Sequence, residues 1–361
     1  MERPSLIAMN VIIVHYHAAA GVREAVEALR ADARASDLPI HIVVADNGST
    51  PDERALLDSL NVTYFAMGRN AGYAGAINAA VQHTRSDFIV VMNEDVLVRP
   101  GCLRALRTAL ASGAAVAGPK FYWDRDCTLL LPCTEERTRR NELAKAAGRR
   151  SLEKLEVARQ AWRQHARRHW LSRDPLPSTS LSGALIAFRR DTWDAIGPFD
   201  EGFRLYYEEN DWLLRAAHAG RQPFYVPAAE AIHLHNPSAA QSAERRAWES
   251  ESFLRFGARH YGQRFMKRLL LLTRGGESVV PEWSTVPEIV HGADLWLEVS
   301  PNAFGFPAAT TRMNGSPFPS MRGLELIDRT LYFQIVDDGG RELSRYSESG
   351  SSALFALRPA L

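Results

Sequence analysis

Along residues 9–120, short continuous apolar runs alternate with stretches in which apolar residues recur every three or four positions. "NVIIVHYH" (10–17) is an apolar run closed by polar residues and predicts a buried strand. "GVREAVEALRADAR" (21–34) sets Val22, Val26 and Leu29 at helical spacing. "IHIVVADNGST" (40–50) predicts a second strand, and "PDERALLDSL" (51–60) a helix with Pro51 in its first turn. "NVTYFAM" (61–67) reads as a strand, "YAGAINAAVQHT" (73–84) as a helix and "DFIVVMN" (87–93) as a fourth strand. Apolar strands alternating with helices predict an α/β fold, a mainly parallel sheet covered on both faces. In such sheets ligands bind beyond the carboxyl ends of the strands. His15 to His17, Asp46 to Ser49 and Asn93 to Asp95, which close these strands, should therefore share one rim.

The pattern breaks at residues 134–175, which are helix-prone, poor in apolar residues and rich in Arg and Lys. We read this stretch as an inserted helical excursion, either a solvated hairpin or a basic surface for an acidic glycan, a lipid diphosphate or an anionic membrane. "SLSGALIAFRRDTW", "YYEENDWLLRAAHAG" (a helix capped by Gly220) and "QPFYVPAAEAIHLHN" (a strand pair) resume the α/β pattern. Residues 240–275 predict amphipathic helix, whose "RFMKRLLLLTR" either packs on the core or docks at a bilayer surface. From about residue 285 the period switches to two, and "DDGG" (337–340) signals a hairpin. The expected organisation is a catalytic domain over 1–275 and a small β-rich domain over 285–361, with Trp296, Phe304 and Phe306 as candidate carbohydrate contacts or oligomer contacts.

Composition adds limits. The 361 residues are 46% hydrophobic and 24% charged with a formal net charge of +1, which does not suggest nucleic-acid binding. Cys102, Cys127 and Cys133 are odd in number and share no metal-ligand spacing, so a reduced cytoplasmic setting is expected. The N-terminus reads as a strand rather than a signal peptide, and no apolar run reaches the roughly 18 residues of a membrane span.

Several segments carry candidate chemistry. Acidic oxygens in "NEDV" (93–96) suit a hard divalent cation, although two acids after a strand also suit a solvated turn. "ADNGST" precedes a helix start that would favour an anion, and the same residues make an ordinary helix cap. "GRNAGYAGAINAA" (68–80) permits close backbone approach to a nucleotide, or close helix packing; it is not the GxGxxG fingerprint. "YYEENDW" (206–212) gathers Glu208, Glu209 and Asp211 at a helix start, where a carboxylate among aromatics could act as a general base. His233 and His235 lie on one strand face and could hold a metal or a phosphate, or pack structurally.

The order of "VIIVHYH", "DNGS", "RNAGYAGAIN", "NEDV", "SGALIAFRR", "IGPFDEGF", "YYEENDWLLR" and "IHLHNPS" resembles that of the family 2 glycosyltransferases, which have the GT-A fold. It is similar in particular to their rhamnosyltransferase-like branch. The resemblance covers roughly residues 9–265 and implies a GT-A (Rossmann-like) domain with a helical insertion and a C-terminal all-β appendage. It implies an inverting, metal-dependent sugar transferase in cell-surface polysaccharide synthesis, taking a nucleotide-sugar donor and a glycan or lipid-linked acceptor. Peripheral contact with the inner face of the cell membrane and homo-oligomers would be in keeping. By this resemblance Tyr16, Asp46, Asn47, Ser49, Arg69, Asn70 and Gly72 would bind the donor nucleotide, with Asn78 supporting their loop. Asp95 would hold Mg²⁺ or Mn²⁺, with Asn93, His233 and His235 as further candidate ligands. Gly183, Ala184 and Asp211 would lie near the donor sugar. Glu209 matches the general-base position, where Asp is common in the family, so Glu208 stays open as the alternative. A sugar-nucleotide pyrophosphorylase would carry a Gly-rich basic loop after the first strand, which "HYHAAAGV" lacks. A decayed, glycan-binding transferase is the non-enzymatic alternative.

Overall fold

The computed structural model describes residues 9–234, 243–274, 278–285, 288, 290, 292, 294–313 and 330–348; His235 lies outside them. The chain forms two compact units, residues 1–120 with 172–263, and residues 121–171 with 264–361. The basic segment expected as an excursion from the first domain thus groups with the C-terminal residues.

The first unit is built on β1 (Met9–His15), α1 (Ala19–Ser36), β2 (Ile40–Asp46), α2 (Pro51–Asp58), β3 (Thr63–Ala66), α3 (Gly72–Gln82), β4 (Phe88–Asn93), β5 (Val96–Val98), α4 (Cys102–Ala111) and β6 (Val116–Tyr122). After α5 (Arg139–Gly148) and α6 (Leu152–Trp170) it resumes with β7 (Leu176–Pro177), β8 (Leu185–Arg189), α7 (Arg190–Ile196), α8 (Glu208–His218), β9 (Pro223–His233) and α9 (Ala243–His260). The sheet order is β3-β2-β1-β4-β8-β6-β9-β5, with β7 on β9. β3, β2, β1 and β4 run parallel, each returning through a helix. Beyond β4, β8 pairs antiparallel with both β4 and β6, and β5 pairs antiparallel with β9. "QPFYVPAAEAIHLHN", read as two strands, is one long strand, because β9 meets β7 near its start and β5 near its end.

Alternation fixes the two faces of this sheet. Ile12, Val14, Val43, Ala45, Ile89, Val91, Ile186 and Phe188 pack with α3, α7 and α8 in one core cluster. Their neighbours Val11, Ile13, Ile42, Val44, Val90 and Met92 are equally buried, so the strands are apolar throughout rather than alternating. Within the cluster, Trp212 lies against Phe188 and Phe199 at ring-centroid distances of 5.2 Å, and its indole N–H donates to the Gly197 carbonyl. This aromatic group anchors α8, whose first turn carries Glu208 and Glu209.

In the second unit α10 (Gln263–Thr273), β10 (Trp296–Ser300), β11 (Ala309–Arg312), β12 (Leu331–Val336) and β13 (Glu342–Glu348) join α5 and α6. The four strands form an antiparallel sheet ordered β11-β10-β12-β13, and "DDGG" turns the β12–β13 hairpin with Gly340 at φ 86°. The helical stretch read over 240–275 is two helices, α9 and α10, parted at Gly262 (φ 87°), where a left-handed residue ends the first.

Two expectations for this unit change with packing. α6 is not a solvated basic rod: Leu155, Trp162, Ala166 and Trp170 share a core with Phe306 and Ala308. Arg163, 1% exposed, donates to both oxygens of Glu298, and Arg159 to Glu342 and to the Phe304 carbonyl. Those two arginines are spent internally, so the segment presents less positive surface than its composition suggests. Trp296 (2% exposed) and Phe306 (7%) are core residues, so neither offers a face to a carbohydrate.

Candidate active site

The polar strand ends converge at the carboxyl edge of the parallel strands, all within the first unit. At the end of β2, burial alone would raise the Asp46 carboxyl, yet hydrogen bonds from Tyr64, Gly48 and Ser49 hold it below the usual carboxylate range. The Ser49 hydroxyl donates to Oδ1 at 2.8 Å, the Tyr64 hydroxyl to Oδ2, and the Arg54 guanidinium lies 3.3 Å from the Tyr64 ring centroid. Asn47 staples the next loop: its Oδ1 accepts from Ala71 N at 3.1 Å and its Nδ2 donates to the Gly72 carbonyl at 3.2 Å. Asn70 Oδ1 accepts from Gly72 N within that loop. Arg69 and Asn70 are exposed, and Tyr16 is half-exposed against the His17 ring. His15 is buried, and neither ring nitrogen has a hydrogen-bond partner among the described residues. Burial pushes its pKa down, which favours neutral imidazole in spite of Asp46 nearby.

Asn78, read as a support of the 68–72 loop, reaches elsewhere. It donates to the Phe199 carbonyl and Glu201 and accepts from Phe199 N, tying α3 to the loop before α8.

At the end of β4 the two acids differ. Burial, then the charge of Asp95, pushes the Glu94 carboxyl up to about 7, against hydrogen bonds from its own amide and that of Tyr16. Below about pH 7 one acid of the pair thus holds its proton, which lowers the cost of placing two acids side by side. α1 comes close here: a Cβ on Gly21 would lie 2.9 Å from the Glu94 carbonyl oxygen, so only glycine fits. Asp95 faces His233, with Oδ1 3.4 Å from Nε2, because β5 pairs with β9 and sets Val96 opposite His233. Asn93 contributes its backbone, its amide donating to the Ala184 carbonyl at 3.0 Å.

Gly183 joins these acids to α8. Its carbonyl accepts from the Tyr73 hydroxyl at 2.6 Å, and a Cβ on it would meet Glu209 Cγ at 3.1 Å. The backbone leading into α8 is strained: Tyr206 (φ 61°) and Tyr207 (φ 72°) are consecutive left-handed residues, at a cost of about 1–2 kcal/mol each. That conformation turns Glu208 inward and leaves Glu209 beside Gly183. Burial, then the Glu209 charge, raises the Glu208 carboxyl well above its usual range, and its Oε2 has no hydrogen-bond partner among the described residues. Asn210 Nδ2 donates to Glu209 Oε1 at 3.1 Å.

Asp211, expected near the donor sugar, is fully buried, and its oxygens are engaged by Arg215 (2.8 Å), Arg259 (3.0 Å) and His260 (2.8 Å). These partners hold it ionised despite burial and couple α8 to α9. Its carboxylate thus ties α8 to α9 through internal partners.

Tyr73 was not singled out in the sequence. Its phenol is raised by burial and then by Glu208, Glu209, Glu94 and Asp95, so all four acids lie within electrostatic reach of one hydroxyl. In the sequence it is one aromatic in a Gly/Ala-rich helix. Tyr64 escapes notice for the same reason, being one residue of an unremarkable strand.

With this geometry, the Glycosyl transferase family 2 model matches residues 10–171. Residues 10–171 therefore resemble a family 2 glycosyltransferase domain. Over 245 residues the transferase is 26% identical to the N-acetylglucosaminyl-diphospho-decaprenol L-rhamnosyltransferase of two Mycobacterium tuberculosis strains, spanning 63% of this chain and 78% of the relative. Among solved structures it is similar to a mannosyltransferase from Pyrobaculum calidifontis in complex with GDP-Man and Mn²⁺ (18% identity, TM-score 0.43, covering 75% of this chain and 65% of that one). It is also similar to S. aureus TarS residues 1–349 (13% identity, TM-score 0.45, covering 70% and 72%). Among the described residues, no helix of the transferase is long and apolar enough to cross a membrane.

The raised Glu94 carboxyl has a consequence for stability. Between pH 4.5 and about 7 the folded chain keeps a proton that the unfolded chain has lost, so this residue lowers stability as pH rises and levels off above about 7. Glu94→Gln should therefore leave stability unchanged near pH 4.5 and raise it by about 1–3 kcal/mol at pH 8. Urea unfolding of both proteins across that range in EDTA checks this; a difference independent of pH would refute it.

Proposed function

We propose that this transferase moves a sugar, of the L-rhamnosyl type, from a nucleoside diphosphate to a hydroxyl of a lipid-diphosphate-linked glycan, with inversion. The observation that carries the reading is the convergence of Asp95 with His233 and of Glu209 with Gly183 around Tyr73, at the strand ends where α/β folds bind ligands. The identity of the relative supports the donor class and the acceptor class.

Asp95 and His233 offer one carboxylate oxygen and one imidazole nitrogen side by side, a donor pair that fits Mn²⁺, or Mg²⁺ when phosphates fill most of its positions. Held there, a divalent cation would offset the charge that develops on the departing diphosphate. The remaining chemistry belongs to the protein. Glu208 keeps its proton in its buried position, while Glu209, beside Gly183, takes the proton from the acceptor hydroxyl. The acceptor oxygen bonds to the anomeric carbon as the bond to the diphosphate breaks on the opposite face, so one displacement inverts the centre. The loop held by Asn47 and the Asp46 carboxylate provide the polar edge for the nucleoside. A lipid-linked acceptor would be met at a bilayer surface, in keeping with α10, where Leu271 (66% exposed) and Leu272 (52%) stand near Lys267 and Arg268.

Calorimetry with dTDP-rhamnose, UDP-sugars and GDP-mannose, each with and without Mn²⁺, tests the reading. Binding of dTDP-rhamnose that needs Mn²⁺ is the expected result. Tighter binding of another donor overturns the sugar assignment, and no binding under any condition overturns the function.

A further inference from the structure

A second cluster of ligand-type side chains lies in the other unit. Cys133 sits in the segment between β6 and α5, and His165 and His169 are one turn apart on α6. One potential ligand atom from each, the thiol sulfur and one nitrogen of each imidazole, lies within 4.8 Å of the other two. We propose that Cys133, His165 and His169 form a zinc site that fastens the segment after β6 to α6.

The hydrogen bonds around the rings suit that role. His169 Nδ1 lies 2.9 Å from the His165 carbonyl, so the tautomer that donates there carries its lone pair on Nε2. His165 Nε2 lies 3.2 Å from the carbonyl of Thr134, the residue next to Cys133, which leaves Nδ1 as the acceptor nitrogen of that ring. An imidazole that ligates a metal through one nitrogen usually donates its other N–H to a carbonyl or carboxylate, which fixes both ring orientation and tautomer. Here a carbonyl stands within hydrogen-bond reach of one nitrogen of each ring, and one of the carbonyls belongs to the very segment that brings the thiol.

The surroundings hold the three residues in place before any ion arrives. Trp170 Nε1 donates to the Leu131 carbonyl at 2.8 Å, and Leu130 pairs with Thr310. Cys133 and Leu130 pack against the Leu155, Trp162 and Trp170 core. A histidine pair near a helix C-terminus could instead serve the helix dipole, but that role needs imidazolium. A bound ion would instead take each imidazole in its neutral form and displace the thiol proton of Cys133. One thiolate and two imidazoles are soft and borderline donors that favour Zn²⁺ over the hard Mg²⁺ or Mn²⁺ of the transferase reading. A fourth position could be filled by water or by Glu136, whose charge acts on both Cys133 and His169.

The test is a Co²⁺ titration of the tag-free full chain, followed by its visible d–d bands and its near-ultraviolet thiolate-to-metal band. One thiolate-bound Co²⁺ per chain, displaced by Zn²⁺ but not by Mg²⁺ or Mn²⁺, is expected. Cys133→Ser should abolish the thiolate band, Cys127→Ser should leave it, and His169→Gln should weaken Zn²⁺ binding by about 10- to 100-fold. Absence of a thiolate band in the wild type at saturating Co²⁺ overturns the proposal, whether or not the variants fold. So does a band that follows Cys127 instead of Cys133.

Discussion

Glu209→Gln is expected to lower kcat by about 10³-fold while leaving the donor dissociation constant within a few-fold of wild type. Glutamine keeps the size of the side chain and its place beside Gly183, but it cannot take a proton. Glu208→Gln is the matched control. Glu208 is buried with its carboxyl raised well above the usual range, so it already carries the proton that glutamine would mimic, and its loss should cost less than about tenfold. Single-turnover rates with saturating donor, together with calorimetric donor binding, separate the two. If Glu208→Gln were the crippling change and Glu209→Gln the mild one, the base assignment would be reversed. If both were mild, neither acid would be the base.

Asp95→Asn should make donor binding independent of Mn²⁺ and lower kcat/KM by about 10²- to 10³-fold. The amide preserves volume and removes the charge that faces His233 across 3.4 Å. The check is donor affinity measured against Mn²⁺ concentration: wild type should respond and the variant should not. A variant that still gained affinity from Mn²⁺ would put the cation elsewhere, with His233 the next residue to change. The two substitutions act on different partners, Glu209 on the acceptor proton and Asp95 on the leaving diphosphate. They should therefore separate in kinetics, the first lowering kcat alone and the second also raising KM for the donor.

The supports of α8 give both predictions their geometry. Asp211 is fixed by Arg215, Arg259 and His260, and Trp212 is locked among Phe188, Trp193 and Phe199, so the first turn of α8 has little room to shift. Strain at Tyr206 and Tyr207 persists because those contacts over-determine the turn. Placement of Glu209 is thus a property of the whole helix and its neighbours.

The alternation of apolar runs and helical spacings over residues 9–111 determined the order of strands and helices there, because local period and burial are both written into side-chain type. The hairpin at "DDGG" was equally legible, since its turn chemistry is local. Asp46, Asn93 to Asp95 and the acids of "YYEENDW" could be picked out because polar residues ending apolar segments stand out in a sequence. What the side chains do there could not be read. Burial raises the proton affinity of Glu94 and Glu208, and burial depends on elements distant in sequence. Tyr73 becomes central only when α3 meets the Gly183 carbonyl. The same limit hid the fates of the arginines of α6 and of Cys133. A composition rich in Arg read as surface charge until Glu298 and Glu342 came to face Arg163 and Arg159. Three cysteines read as unrelated to metal until folding brought one of them to a histidine pair on another element. Period and residue type act between neighbours in the chain, whereas proton affinity, ion pairing and ligand sets arise between residues that only packing makes neighbours.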